Sequence, residues 1–114
     1  MKPLTGHLTI NVSDLDQSIV FYESIGFVLK ERWGKYYAQL AAEGIRIGLH
    51  PTSTDHIAGN SGNVSIGFAA DDLHEAKQVL DSAGITFSER KEEGGRFVHF
   101  SDPDGTALYF RGDK

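Results

Sequence analysis

Residues 7–15 read HLTINVSDL and residues 65–73 read SIGFAADDL, and a helical pattern that ends at a glycine follows each stretch. The offset between the two copies is 58 residues, measured between the aspartates Asp14 and Asp72 (72 − 14 = 58). A phrase repeated at a fixed offset indicates one supersecondary unit that occurs twice. The repeat therefore decides the fold class, and it also matches each position of one copy to a position of the other.

The first copy predicts a strand, a helix and three more strands. Apolar and polar residues alternate over residues 5–12, which is typical of a strand with one buried face. Asp14 and Gln17 have the spacing of a capping box at the start of a helix, and Gly26 suits the left-handed position after its end. The remaining strands are predicted over residues 27–33, 36–40 and 45–50.

The second copy repeats this plan after a connecting segment that is rich in Gly, Ser and Asn. Asp72 and Glu75 form the second capping box, and Gly84 ends the second helix. The charged run 89–95 is interpreted as a solvated, mobile hairpin loop, and residues 101–105 (SDPDG) are interpreted as a turn. Strands are predicted over residues 64–70, 86–89, 96–100 and 106–111.

Two βαβββ modules predict an α+β fold, in which a curved mixed sheet surrounds a shared cavity and the helices cover its convex face. We expect a single domain, 1–114, with modules at 4–51 and 64–111 and a connecting loop at 52–63. Strand alternation predicts which side chains face the cavity. They include His7, Arg46, Gly48 and His50 in the first module, and Ser65, Phe97, His99, Tyr109 and Arg111 in the second.

The composition suits a folded domain and excludes several classes of protein. The chain has 16 acidic and 11 basic residues and a net charge of −5, so no basic stripe is available to neutralise nucleic-acid phosphates. It has no cysteine, which excludes disulfides and cysteine–zinc sites. No apolar run has the length of a membrane span or the character of a signal peptide. We therefore expect a cytoplasmic protein with no nucleic-acid or membrane partner.

Three stretches of the chain together carry a family resemblance: residues 7–22 (HLTINVSDLDQSIVFY), residues 25–27 (IGF) and residues 100–110 (FSDPDGTALYF). With them the chain resembles the vicinal oxygen chelate superfamily, the glyoxalase/bleomycin resistance protein/dioxygenase group. The resemblance covers nearly the whole chain and implies the two-module fold. It does not imply one activity, because a fold of this kind carries many chemistries.

The resemblance also implies four metal-ligand positions, which fall on His7, Gly48, Ser65 and Tyr109. Metal-dependent relatives typically carry His, Glu or Gln, His and Glu there, so only His7 matches the family pattern. Because three protein ligands are the usual minimum for a catalytic metal, we expect no cofactor. One divalent metal is the alternative, for instance in a three-histidine site made of His7, His50 and His99.

The predicted ligand-binding residues combine aromatic walls with a few polar side chains, which is typical of small-molecule pockets. The aromatic members are expected to stack on a flat ligand, or else to be ordinary core, as one of Tyr36 and Tyr37 should be. Arg46 is expected to hold an anionic group, or else to form a salt bridge with Glu31 or a neighbouring acid or to be exposed at the cavity mouth. Small residues such as Gly48 and Gly67 are expected to enlarge the cavity. The complete predicted set is Trp33, Tyr37, Arg46, His50, Phe97, His99 and Tyr109.

These observations predict a metal-independent small-molecule-binding protein of the glyoxalase/bleomycin-resistance type, which sequesters a planar or anionic organic ligand. The resemblance further implies a homodimer. The alternative is an enzyme of the same superfamily, a metal-dependent lyase, isomerase or dioxygenase that uses His7. A third possibility is a structural dimer whose cavity is filled by its own side chains.

Overall fold

The computed structural model describes residues 1–53, 64–92 and 95–112 of the chain. The chain divides into two compact units, Met1–Ile57 and Ala58–Lys114, each with one sheet and one helix. Residues 54–63, which make up most of the predicted connecting loop, lie outside the described residues. Among the described residues, no helix is long and apolar enough to cross a membrane.

The first unit is a four-stranded mixed sheet with one helix. The sheet has the order β1-β4-β3-β2, in which β1 and β4 are parallel and the other neighbours are antiparallel. This arrangement confirms the predicted βαβββ module. The elements are β1 (Leu8–Val12), α1 (Leu15–Ser24), β2 (Val28–Trp33), β3 (Tyr37–Ala42) and β4 (Ile45–Pro51).

Helix α1 begins and ends at the residues that the sequence indicated. The Asp14 side chain accepts a hydrogen bond of 3.0 Å from the backbone N–H of Gln17, which satisfies one of the free donors of the first turn. Gly26 follows the helix with a φ of 111°, a value that side-chain-bearing residues rarely adopt. The buried face of α1 includes Leu15, Ile19 and Tyr22.

The core of the first unit lies between α1 and one face of its sheet. Helix α1 contacts β2, β3 and β4. Alternate residues of the strands are buried on this face, as the period of two requires. The buried strand residues are Ile10, Val12, Ala38, Leu40, Ile47 and Leu49. Consequently, the remaining residues of these strands form a second face on which a site can be built.

The second unit repeats the first. Its sheet has the order β5-β8-β7-β6, with β5 and β8 parallel, so it is also a βαβββ module. The α+β fold of two such modules is therefore confirmed, with the strands arranged as two four-stranded sheets. The elements are β5 (Ser65–Ala69), α2 (Leu73–Ser82), β6 (Ser88–Glu92), β7 (Gly95–Ser101) and β8 (Ala107–Gly112).

Two aspartates organise the second unit. Asp72 is the N-cap of α2, and its carboxylate accepts hydrogen bonds from the backbone N–H groups of His74 and Glu75. The buried carboxylate of Asp102 accepts backbone hydrogen bonds from Asp104 at 2.9 Å and from Thr106 at 2.8 Å. These bonds form the turn before β8, which confirms the predicted turn for residues 102–105, whereas Ser101 still belongs to β7.

The charged run before β7 differs from its prediction. Residues 89–92 belong to β6, and they pair in register with β7 from Glu89 opposite Val98 to Glu92 opposite Gly95. The interpretation of residues 89–95 as a mobile hairpin loop is therefore wrong for residues 89–92 and for Gly95, which begins β7. All five residues of β6 are exposed at the edge of the sheet, where charged side chains are favourable because they discourage pairing with other chains. Residues 93 and 94 lie outside the described part.

Candidate functional site

The face of the first sheet opposite to its buried face carries the predicted polar residues. Gly48 of β4 lies opposite Thr9 of β1 on one side and opposite Gln39 of β3 on the other. Directly opposed residues of neighbouring strands point to the same face of a sheet. Thr9, Gly48 and Gln39 therefore form one row across three strands.

A cavity of about 720 Å³ lies where the chain enters β1 and β4. Residues 5–8 line it, together with Gln39 and Ala41 of β3 and Arg46 of β4. All of its lining residues belong to the first unit. Its volume lies within the range of about 300–1,000 Å³ that is usual for small-molecule pockets.

The aromatic ring of Tyr37 lies directly over Gly48. A Cβ atom added at Gly48 would overlap the hydroxyl oxygen and the ring of Tyr37. The same hydroxyl lies 3.4 Å from Nε2 of His7, so the two side chains are within hydrogen-bond distance. The expectation that Gly48 enlarges the cavity is therefore wrong, because Tyr37 fills the space that the glycine leaves.

Trp33 and Tyr37 form an aromatic pair at the end of β2 and the start of β3. They lie opposite each other in register, and their ring centroids are 5.4 Å apart with an angle of 43° between the planes. Trp33 remains 47% exposed. The expectation that Tyr36 or Tyr37 is core is wrong, because Tyr36 lies in the turn before β3 and is 70% exposed, while Tyr37 is half-buried on the polar face.

Arg46 is an exposed cation at the wall of the cavity. It lies opposite Ala41, whereas Glu31, the partner suggested as an alternative, lies opposite Gln39. Within residues 1–53, 64–92 and 95–112, Arg46 forms no ion pair or hydrogen bond. Its guanidinium is consequently available to an anionic ligand.

The structure does not bring His50 together with His7. His50 lies opposite Asn11, four residues along the chain from His7, and a strand rises by about 3.3 Å per residue, which places the two roughly 13 Å apart. Among the described residues, no three His, Asp or Glu side chains are grouped so that they could hold a metal ion. The three-histidine site is therefore wrong.

The predicted residues of the second unit form an aromatic cluster. Tyr109 lies opposite His99, with centroids 5.6 Å apart, and 5.9 Å from the centroid of Phe97. The ring of Tyr109 also covers Gly67, because a Cβ atom added there would overlap it. As at Gly48, a tyrosine occupies the space that a glycine leaves, so the second expected enlargement is wrong as well.

The donor set at the family's four metal-ligand positions does not fit a divalent ion. His7 supplies an imidazole, but Gly48 supplies no side chain and its space holds the Tyr37 hydroxyl. Ser65 and Tyr109 supply hydroxyl groups, which are weak ligands for such ions compared with imidazole and carboxylate.

Sequence reasoning missed Gln39 as a residue of the site. Gln39 lies within the predicted strand 36–40 and lines the cavity, as does Ala41, because β3 extends beyond its predicted end to Ala42. The available signal was alternation, since Gln39 follows Tyr37 by two residues and shares its face.

Comparison with known proteins assigns the chain to a protein superfamily. Residues 5–110 match the model of the Glyoxalase/Bleomycin resistance protein/Dioxygenase superfamily. The chain is 32% identical over 111 residues to the Glutathione transferase FosA of Serratia marcescens, a match that covers 90% of this chain and 75% of that protein.

Solved structures share the fold at low sequence identity. The fosfomycin resistance protein FosX from Listeria monocytogenes has a TM-score of 0.83 at 20% identity, covering 100% of this chain and 96% of that one. A bleomycin-binding protein complexed with bleomycin has a TM-score of 0.74 at 21% identity, covering 98% of this chain and 100% of that one. These likenesses concern the fold alone.

Proposed function

The chain belongs to the glyoxalase/bleomycin resistance protein/dioxygenase superfamily, and from this premise we propose that it binds a planar or anionic organic molecule without a metal ion. The superfamily includes bleomycin-binding and fosfomycin resistance proteins, so binding or modification of a small molecule is the common ground. The finer points, the class of ligand and the independence from metal, are inferred from the chain's own residues.

The observation that carries this proposal is the Tyr37 hydroxyl in the space above Gly48, 3.4 Å from Nε2 of His7. In metal-dependent relatives, the matching position is expected to present a ligating side chain. Here the space is taken by a phenol that donates or accepts hydrogen bonds and carries an apolar ring. The local chemistry consequently favours holding an organic molecule over holding a cation.

Arg46 supports a preference for anionic groups. Arg46 lines the cavity and lies opposite Ala41 of the neighbouring strand β3. Its guanidinium has no acidic partner among the described residues. A guanidinium presents several donors in a planar arrangement that matches carboxylate and phosphate groups. Gln39 and His7 add hydrogen-bonding groups to the same cavity.

The Trp33–Tyr37 pair supports a preference for flat molecules. Its rings lie on the polar face of the sheet rather than in the core, and Trp33 keeps about half of its surface exposed. Exposed aromatic surface of this kind stacks on planar ligands. A homodimer belongs to this proposal as a prediction from the resemblance.

The decisive experiment combines metal analysis with ligand binding. We expect protein purified without chelator to contain no stoichiometric manganese, zinc, nickel or iron by plasma mass spectrometry. We also expect a panel of aromatic carboxylates, with fosfomycin and bleomycin added because they are named for relatives, to include compounds that raise the melting temperature. Arg46→Gln should weaken the anionic members by about tenfold. Arg96→Gln, an exposed arginine of the second unit, is the matched control.

Two results would contradict the proposal. One is a stoichiometric transition metal that is lost on His7→Ala, because it would assign the site to metal chemistry. The other is that no compound of the panel raises the melting temperature, which would favour a structural protein whose cavity is filled by its own side chains.

A second candidate, group transfer to a small molecule, is favoured by the 32% identity to a glutathione transferase and by the presence of His7. It predicts a single addition product when glutathione and fosfomycin are incubated with the protein: a carbon–sulfur bond forms as one epoxide C–O bond of fosfomycin breaks, and the thiol proton passes to the freed oxygen. Mass spectrometry of the reaction mixture detects that product, and His7→Ala should abolish it.

A further inference from the structure

Two arginines flank Phe97 on the second sheet. Arg90 of β6 lies opposite Phe97 of β7, and Phe97 lies opposite Arg111 of β8. The three residues thus form one row across three neighbouring strands, the Arg90–Phe97–Arg111 row. Neighbouring strands are about 4.8 Å apart, which places the two arginine backbones about 10 Å from each other with the aromatic residue between them.

This row lies on the face of the sheet opposite to the buried face. Val98 and Phe100 are buried, so Phe97 and His99 point the other way. On β6, Glu89 lies opposite the buried Val98 and is paired with Lys77 of α2, which places Glu89 on the helix side. Arg90, the next residue, therefore points away from α2, as do His99 and Tyr109.

Neither arginine of the row has a neutralising partner among the described residues. Both are exposed, and within the described ranges 1–53, 64–92 and 95–112 neither forms an ion pair or a hydrogen bond. Arg111 lies opposite Ala69 on its other side. The acid nearest along the strand on the same face is Glu92, two residues from Arg90 and itself exposed.

The aromatic surface continues from Phe97 to its neighbours on the same face. The ring centroid of Phe97 is 6.1 Å from that of His99, with 27° between the planes, and 5.9 Å from that of Tyr109. Two cations with no ion-pair partner in the described part of the chain, beside a continuous aromatic surface, match a molecule that is flat and negatively charged at two ends.

We propose that the Arg90–Phe97–Arg111 row binds a planar aromatic dianion, whose ring stacks on Phe97 while each arginine holds one carboxylate or phosphate group. This inference rests on the proposed function, because it specifies the class of organic ligand proposed there, and Phe97 is one of the ligand-binding residues predicted from the sequence. It adds two residues, Arg90 and Arg111, and it specifies two anionic groups on one aromatic ring.

The test is isothermal titration of the full chain with three probes. Terephthalate carries a ring and two carboxylates, benzoate carries a ring and one carboxylate, and succinate carries two carboxylates without a ring. We expect terephthalate to bind at least about tenfold more tightly than either of the others, a difference of about 1.4 kcal/mol. Failure of terephthalate to exceed both would overturn the inference.

Variants assign the binding to the row. Arg90→Gln and Arg111→Gln should each lower the terephthalate affinity by about tenfold, to the level of benzoate, and Phe97→Leu should reduce the affinity for both ring compounds. Lys91→Gln and Arg96→Gln are matched controls. These two residues lie on β6 and β7, opposite each other in register, and their side chains are on the other face of the sheet. A melting temperature close to that of the parent protein verifies that each variant is folded.

The outcomes separate this inference from the proposed function. If Arg46→Gln abolishes terephthalate binding and the Arg90 and Arg111 variants match their controls, the anion binds in the first unit's cavity, which overturns the inference and leaves the proposed function in place. A transition metal that is lost on His7→Ala would contradict the proposed function. The effects of Arg90→Gln and Arg111→Gln on terephthalate affinity would still show whether the row binds the dianion.

Discussion

A methyl group at Gly48 would occupy the place of the Tyr37 hydroxyl, because that hydroxyl lies directly over the glycine. We predict that Gly48→Ala displaces the Tyr37 ring and destabilises the protein by about 1–3 kcal/mol, as overpacking does elsewhere. The displacement should also change the fluorescence of Trp33, the only tryptophan of the chain, since its ring lies 5.4 Å from that of Tyr37. Chemical denaturation followed by tryptophan fluorescence measures both effects.

A double-mutant cycle supplies the control for this contact. In the background of Tyr37→Ala, the added methyl group meets no ring, so Gly48→Ala should cost much less there than in the parent protein. The coupling energy is expected in the range of about 0.5–3 kcal/mol that residues in contact show. Additive effects of the two substitutions would contradict the packing of Tyr37 over Gly48.

Ser18 is a second residue with a specific energetic cost. It is fully buried on the sheet-facing side of α1, and its hydroxyl oxygen has no hydrogen-bond partner in the described part of the protein. An unsatisfied buried polar group costs about 1–3 kcal/mol, and alanine is also the better helix former. We therefore predict that Ser18→Ala stabilises the protein by about 1 kcal/mol.

Thermal or urea unfolding measures this gain. Ser24→Ala is the control in the same helix, because the Ser24 hydroxyl is exposed and donates a hydrogen bond to the carbonyl of Phe21. That substitution should leave the free energy of unfolding within about 0.5 kcal/mol of its original value. A loss of stability in Ser18→Ala would mean that its hydroxyl is satisfied in solution.

At the scale of the elements, the two helices depend on their aspartate caps. Asp72 accepts hydrogen bonds from His74 and Glu75 at the start of α2, where backbone N–H groups have no partner within the helix. We predict that Asp72→Ala lowers the free energy of unfolding by about 1 kcal/mol. Asp71→Ala, at the exposed neighbouring position outside the helix, should have an effect within about 0.5 kcal/mol, and urea unfolding distinguishes the two.

Elements with a local signal could be predicted closely, whereas the edge strand β6 was predicted at residues 86–89 and is found at Ser88–Glu92. The caps at Asp14 and Asp72 and the glycines after each helix are encoded within a few residues, so both helices were located correctly. Residues 88–92 read SERKE, which has no apolar face and therefore no strand period. They form a strand because β7 offers its backbone groups for pairing, and this partner is not visible in the local sequence.

At the scale of the whole molecule, the repeat predicted the fold because one supersecondary unit occurs twice at a constant offset. The site was harder to predict, since it depends on contacts between strands. Alternation correctly placed Arg46 and Tyr109 on their faces. It did not reveal that Tyr37 covers Gly48, because the direction in which a side chain leans over its neighbours is set by packing in three dimensions.

A prediction at the scale of the whole molecule is that the protein forms a homodimer. The resemblance implies a homodimer, and large apolar side chains such as Leu4, Val28 and Val64 are exposed in the single chain. Burial of such groups stabilises association by about 25 cal/mol per Å². We therefore expect sedimentation equilibrium to give twice the 12.5 kDa mass of one chain. A mass of one chain at micromolar concentration would contradict this expectation.

The contact between Tyr37 and Gly48 also constrains the order in which mutations can change this site. A carboxylate side chain introduced at position 48 alone meets the Tyr37 ring, so its first appearance should be unfavourable. A small residue at position 37 opens the space and makes the same substitution acceptable. A mutational route from this chain to a side-chain ligand at position 48 is therefore more favourable when Tyr37, a residue outside the four ligand positions, changes first.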